Sequence, residues 1–218
     1  MGKALEQAVT SDKELEFAGI WRRGEDISQL LLDSDILIDF SLPEANEIIL
    51  NAAIHKNIPL ICGVSGLNQL ESERLAAASE QIPIVFDRNM SLGVAVLERS
   101  VKEAAASIGP DFEIQISEVH HLNKKDAPSG TALKLGEAIM RSIGFNSSKK
   151  IKYSSERRGE VPGDHEVKMK SATEQLIFSH STTTRQVFVE GAIQAAKWVF
   201  NKPSGLYSMQ DVLFSNLK

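Results

Sequence analysis

A single cysteine in 218 residues, Cys62, excludes an intrachain disulfide and a cysteine-rich zinc site. It ends the apolar run Pro59-Leu60-Ile61-Cys62, where it reads as a small buried hydrophobe. No apolar run approaches the length of a membrane span, and Met1-Gly2-Lys3-Ala4 begins no signal peptide, so a cytoplasmic location is expected. Positive charge is in deficit as well. Lys and Arg number 24 against 29 Asp and Glu, and the net charge of −5 argues against nucleic acid or an anionic membrane as partner. Aromatic residues are few, at 6%, but a hydrophobic content of 42% suffices for a buried core in one large domain or two small ones. Also missing is the apolar strand and glycine-rich turn with which a dinucleotide-binding domain normally opens.

What the chain does have is alternation. Lys3–Val9 reads as a helix, Glu16–Trp21 as a strand, Ile27–Leu32 as a short helix and Ile36–Phe40 as a strand, apolar but for Asp39. Pro43–His55, Pro59–Val64, Leu70–Ser79 and Ile82–Phe86 continue as helix, strand, helix and strand. Strands separated by helices of this length predict a Rossmann-like parallel α/β sheet, incomplete at its N-terminal end. Such sheets bind ligands beyond the carboxyl ends of their strands, where Gly63-Val64-Ser65-Gly66 and Asp87-Arg88-Asn89-Met90 fall. From Ser91 the pattern changes to a long helix, a strand at Phe112–Ser117 and a helix at Thr131–Ile143. Ser147–Asp164 reads as a loop; His165–Ala172 and Gln175–Ser181 read as antiparallel strands before a helix at Thr184–Phe200.

Chemistry concentrates in Glu118–Ala132, E-V-H-H-L-N-K-K-D-A-P-S-G-T-A. Two histidines and two lysines follow a strand, and Pro128-Ser129-Gly130-Thr131 opens a helix with proline at its first position. Helix starts offer unpaired N–H groups and a positive dipole end to an anion. A histidine that can protonate, a lysine four residues on and such a helix start suit an acidic small molecule. His120 is the candidate general acid. Alternation along an extended chain puts His121 on the opposite side, so the pair is not a metal chelate, and no metal is expected. Lys125 reads as a solvated charge.

The run H-H-x-x-K-x-D-A-P-S-G-T-A closely resembles the signature of the dihydrodipicolinate reductase family. Six further motifs follow the family's order: I-D-F-S-L-P-E-A (38–45), C-G-V-S-G-L (62–67), D-R-N-M-S-L-G-V (87–94), G-D-H-E-V (163–167), E-Q-L-I-F-S-H (174–180) and G-L-Y-S-M-Q-D-V-L (205–213). The resemblance implies NAD(P)H-dependent reduction of 4-hydroxy-tetrahydrodipicolinate in the lysine and diaminopimelate pathway. It assigns His120 and Lys124 to catalysis, and His121, Ser129, Gly130 and Thr131 to a dicarboxylate substrate. It sets Gly63, Val64 and Ser65, with Asp87, Arg88, Asn89 and Met90, beside the nicotinamide. It further implies a nucleotide domain of residues 1–90 with 185–218, an α+β substrate and oligomerisation domain of residues 91–184, and a homotetramer. His165 and His180 are left structural or indirect roles.

The family motif G-x-x-G-x-M-G precedes the first helix, and Met1-Gly2 resemble its last two letters, which makes Met1 a candidate cofactor contact. A start downstream of the true one is the favoured explanation over a genuine short form, and weak nucleotide binding is expected of the 218 residues. After Glu16–Trp21 an NAD enzyme would carry an acidic residue for the ribose. Here Trp21-Arg22-Arg23 offers two guanidinium groups to a 2′-phosphate, favouring NADPH over NADH. Two other readings stay open: a non-catalytic dicarboxylate-binding homologue, and another two-domain dehydrogenase of a small acid.

Overall fold

The computed structural model describes residues 1–109, 111–144 and 151–215, in two compact units: 1–92 with 186–218, and 93–185. The chain runs α1 (Gly2–Ser11), α2 (Ile27–Leu30), a 3₁₀ turn (Leu31–Asp33), β1 (Leu37–Asp39), α3 (Pro43–Lys56), β2 (Leu60–Cys62), α4 (Gln69–Ala78), β3 (Pro83–Phe86) and α5 (Leu92–Ile108). It continues with β4 (Glu113–His120), α6 (Gly130–Ser142), β5 (Lys152–Arg157), β6 (Asp164–Lys170), β7 (Gln175–His180), α7 (Gln186–Val199), β8 (Gly205–Tyr207) and α8 (Met209–Phe214).

The first unit holds a parallel sheet of order β1-β2-β3-β8. Leu60, Ile61 and Cys62 of β2 are wholly buried between neighbouring strands, as a continuous apolar run in a parallel sheet should be. Ile49, Leu50 and Ala53 of α3 and Leu75 and Ala78 of α4 pack over them. Each buried leucine or isoleucine contributes about 1.5–3 kcal/mol. Local chemistry sets the helix ends. Pro43 opens α3, and Asn57, at φ 55°, closes it. Asn68 and Glu71 cap α4 reciprocally, at 2.9 and 2.7 Å.

Two expectations fail in this unit. Glu16–Trp21 forms no strand, because no strand lies beside it to share a ladder. β1 is consequently an edge, and Leu37 and Ile38 are only half-buried despite their apolar run. The short β8 and α8 carry too few residues for a periodic signal. Gly191 of α7 meets the loop after β3 so closely that a Cβ would lie 1.7 Å from the Met90 carbonyl oxygen. Gly191→Ala is therefore expected to destabilise this unit by ~1–3 kcal/mol through overpacking, despite alanine's better helix propensity, as read by thermal unfolding.

The second unit holds a mixed sheet of order β5-β4-β6-β7, with β5 parallel to β4 and the other pairs antiparallel. Leu97 and Val101 of α5 and Leu135 and Ile139 of α6 cover Ile114, Ile116, Val167 and Met169. The loop expected at Ser147–Asp164 is corrected here. Residues 147–150 lie outside the described residues, but Lys152–Arg157 is strand β5. Its side chains are exposed except Arg157, so it shows no apolar alternation, and pairing with β4 alone defines it. β4 runs past Ser117 to His120, and its buried row reads Ile114, Ile116, Glu118, His120. The row turns from apolar to ionisable as it nears the start of α6.

Candidate active site

Glu118 and His120 stand two residues apart on β4, so their buried side chains share one face of the strand. The His120 Nδ1 pairs with Glu118 Oε2. Arg157, at the end of β5, donates to both Glu118 oxygens, at 2.9 and 3.1 Å. The Ser129 N–H reaches Glu118 Oε1 at 3.3 Å. Burial pushes the Glu118 carboxyl up, but bonds from Arg157, His120 and Ser155 outweigh it and hold the group below the usual carboxylate range. Burial is also the main influence on His120, and it outweighs the attraction of Glu118 to hold the imidazole below its ordinary value. With Nδ1 committed to Glu118, Nε2 is the nitrogen left to exchange a proton. It sits beside Gly163, where a Cβ would come within 2.8 Å of it.

The loop after β4 is tied to this pair. Arg157 donates to the carbonyl of Lys124, at 3.2 Å, and to that of Asp126. Lys124 is half-buried and its Nζ meets Asp126 Oδ1 at 2.8 Å. Burial pushes Asp126 up, yet its bond to Lys124 and a backbone bond from Gly130 bring the carboxyl below its ordinary range. Asp126 thus bridges the lysine and the helix start, the position expected of a substrate carboxylate.

The start of α6 differs from expectation by two residues. Pro128 precedes the helix, behind a cis Ala127–Pro128 bond. Ser129 is the N-cap, with extended backbone and its hydroxyl accepting from the Ala132 N–H at 3.1 Å. Ser129 and Thr131 are buried. The N–H groups of Ser129 and Gly130 are already engaged by the chain's own carboxylates, Glu118 and Asp126. His121 follows the end of β4, and its Nε2 accepts from Arg185 at 3.0 Å. Lys125 is exposed.

Sequence reasoning did not single out Glu118, Asp126 or Arg157, and it left His165 a structural or indirect role. The ring of His165, on β6, stands edge-on to that of His120 at 5.1 Å, and its Nε2 is 3.3 Å from the Ser129 hydroxyl. Its Nδ1 has no hydrogen-bond partner among the described residues. Burial, with His120 and His180 nearby, pushes its pKa down to about 3. An unfolded histidine takes up its proton near pH 6.5. Between that pH and about 3 the unfolded chain therefore binds one proton more. Stability is expected to fall with acidification over that window, by ~1.4 kcal/mol per pH unit from this group. Urea unfolding across pH should show a steeper loss in the wild type than in His165→Gln.

The first unit presents its loops at the carboxyl ends of its strands. After β2, Gly63 donates its N–H to the Asp39 carbonyl at 2.8 Å and lies against the Phe40 ring, 2.5 Å from where a Cβ would be. Val64 is buried and Ser65 exposed. After β3, Asp87 accepts from the Asn89 N–H at 3.1 Å and from the Met209 N–H at 3.2 Å, while Asn89 accepts from Ser91 at 2.9 Å. Met90 is buried and Arg88 exposed. These side chains shape the loop. Arg22 and Arg23 are exposed on a turn in which Glu25 accepts from the Arg22 N–H at 2.9 Å. Met1 is the N-cap of α1 without a side-chain cap bond, and the space around Gly2 is open. Among the described residues, no group of three or more His, Cys, Asp and Glu could hold a metal ion, and no helix is long and apolar enough to cross a membrane.

One unit with a parallel sheet and loops at its strand ends, and one with a mixed sheet carrying a buried acid–histidine pair, are the parts of a two-domain reductase. Residues 1–90 match the model for the dihydrodipicolinate reductase N-terminus and residues 93–213 that for its C-terminus. The chain belongs to the dihydrodipicolinate reductase family, whose N-terminal domain implies a nicotinamide cofactor. Relatives named 4-hydroxy-tetrahydrodipicolinate reductase include that of Pseudoalteromonas translucida, 37% identical over 250 residues covering 98% of this chain and 94% of the relative. That of Zymomonas mobilis is 37% identical, covering 98% and 92%. Among solved structures, a dipicolinate-bound dihydrodipicolinate reductase from Paenisporosarcina shares the fold at TM-score 0.76 and 17% identity, covering 97% of this chain and 95% of that one.

Proposed function

We propose that this chain catalyses the NAD(P)H-dependent reduction of 4-hydroxy-tetrahydrodipicolinate to tetrahydrodipicolinate. The observation that carries the reading is the Glu118–His120 pair buried beside Lys124 and the start of α6. A dicarboxylate exchanges with Asp126, taking over Lys124 and the N–H groups of Gly130 and Thr131, with His121 and Ser129 completing the contact. Loss of water leaves a conjugated cyclic imine, and a bound nicotinamide supplies hydride to it. His120 Nε2 delivers the proton. Its ring is held neutral by burial in the free protein, and an arriving dianion raises its proton affinity, so substrate binding loads the acid it requires. The test is loss of NADPH absorbance with substrate generated in place; the absence of substrate-dependent oxidation would refute the reading.

The nicotinamide end is assigned to Gly63, Val64 and Ser65 and to residues Asp87–Met90, the phosphate end to Met1, and the 2′-phosphate to Arg22 and Arg23. Replacing both arginines with serine is expected to raise KM for NADPH about tenfold or more, on the order of a lost charge-assisted contact, and to leave KM for NADH nearly unchanged. Equal effects on both cofactors would show the pair to be a solvated turn. The second unit is assigned to substrate binding and to self-association as a homotetramer. Its sheet has a face on which Ile177, paired with Lys168, is 48% exposed. A cytoplasmic location follows from the pathway.

A further inference from the structure

His165 touches both ends of the candidate site, yet neither the proton transfer nor the anion contacts use it. It stands opposite Glu118 in the β4–β6 ladder and continues the buried row of Met169 and Val167 along β6. Its ring lies 5.1 Å from that of His120, and its Nε2 is 3.3 Å from the Ser129 hydroxyl. Val167 and Met169 serve the core by being apolar and well fitted. A histidine in the same row, 2% exposed, gives up its hydration and recovers it only through its two ring nitrogens.

The proton count on those nitrogens is fixed. Burial, with His120 and His180 nearby, pushes the pKa down to about 3, so at neutral pH the ring carries one N–H. Nε2 meets Ser129, whereas Nδ1 has no hydrogen-bond partner among the described residues. Two tautomers compete. With the proton on Nδ1, a buried donor is orphaned and the Ser129 hydroxyl spends its hydrogen on Nε2. With the proton on Nε2, that N–H donates to the Ser129 oxygen, and only a lone pair is left over. An orphaned buried N–H is the rarer and costlier of the two, so the Nε2–H form is favoured. The Ser129 oxygen then accepts twice, from His165 and from the Ala132 N–H at 3.1 Å. Its hydrogen remains to be given to a third partner.

We propose that His165 is a positioning residue: by donating from Nε2 it turns the Ser129 hydroxyl hydrogen toward a carboxylate of the bound substrate. It acts on binding through Ser129 and touches no reacting atom. Being neutral, the ring contributes direction and no charge. This inference rests on the reading of the α6 start as a carboxylate site, and a separate result tests each.

Imidazole nitrogen NMR of the ligand-free chain at neutral pH reads the tautomer, with the His165 signals assigned by their absence from His165→Gln. The expected result is a proton on Nε2, unchanged when dipicolinate is added. A dipicolinate titration reads the consequence. His165→Leu is expected to raise Kd about tenfold, the scale of one hydrogen bond to a charged group. His165→Gln, which returns an N–H donor near the place of Nε2, should recover most of that loss. In a Ser129→Ala background, His165→Leu should change Kd by less than about twofold, because the hydroxyl it directs is gone. A proton on Nδ1 in the wild type, wild-type affinity in His165→Leu, or the same loss with and without the Ser129 hydroxyl would overturn the proposal. Absence of dipicolinate binding to the wild type would overturn the carboxylate reading of the α6 start, and this proposal with it. If His165→Leu fails to fold, the tautomer in the wild type decides alone.

Discussion

Glutamine at position 120 is expected to lower kcat for substrate reduction by a hundredfold or more and to leave the Kd for dipicolinate within about threefold. Glutamine keeps a polar group within reach of Glu118 but cannot deliver a proton. The anion contacts, by contrast, come from Lys124 and the start of α6. Lys124→Ala should differ in kind, raising Kd as well as lowering kcat, because the lysine already holds a carboxylate, that of Asp126, at 2.8 Å. Near wild-type turnover in His120→Gln would remove the histidine from the chemistry.

Arg157→Ala is expected to cost about 3 kcal/mol of stability, the lower end for breaking a buried ion pair, since the Arg157 side chain keeps 20% of its surface in water. Glu118, 2% exposed in the wild type, would lose two charge-assisted bonds and keep an incompletely paired carboxylate. The same substitution frees the Lys124–Asp126 loop, which Arg157 holds through two carbonyls. Chemical unfolding should therefore show reduced stability, and dipicolinate binding should weaken in parallel. Removing both charges in Glu118→Leu/Arg157→Met should restore part of the stability but not turnover, a coupling that a double-mutant cycle isolates. Wild-type stability in Arg157→Ala would show that water already solvates Glu118.

The elements that sequence alone placed well are those whose side chains are sorted by a core. The helix at Pro43–His55 and the strand at Pro59–Val64 have apolar patterns because α3 and β2 bury them. β5 was read as loop for the opposite reason, since Lys152–Glu156 are exposed and only the β4 backbone makes a strand of them. Glu16–Trp21 has a strand's composition and no neighbouring strand. The signature marked His120 and Lys124, but Arg157 is 39 residues from Glu118 and His165 36 from Ser129. Such distances close only through sheet register, here Glu118 opposite His165 and His120 beside Arg157. Glu118 did carry a usable local signal, as a carboxylate two residues before a histidine on one strand face. Asp126 was hidden by its place in a polar turn.

The central claim is that the end of β4 and the start of α6 form one dicarboxylate site whose histidine gains a proton on binding. Dipicolinate titrated into the protein at neutral pH, with backbone amides and histidine rings observed by NMR, tests it directly. The expected result is a shift of the Gly130 and Thr131 amides, release of Lys124 from Asp126, and movement of the His120 ring toward its protonated form, with His165 still neutral. Unchanged signals at His120 and at residues 129–131, with binding elsewhere or none at all, would contradict the account.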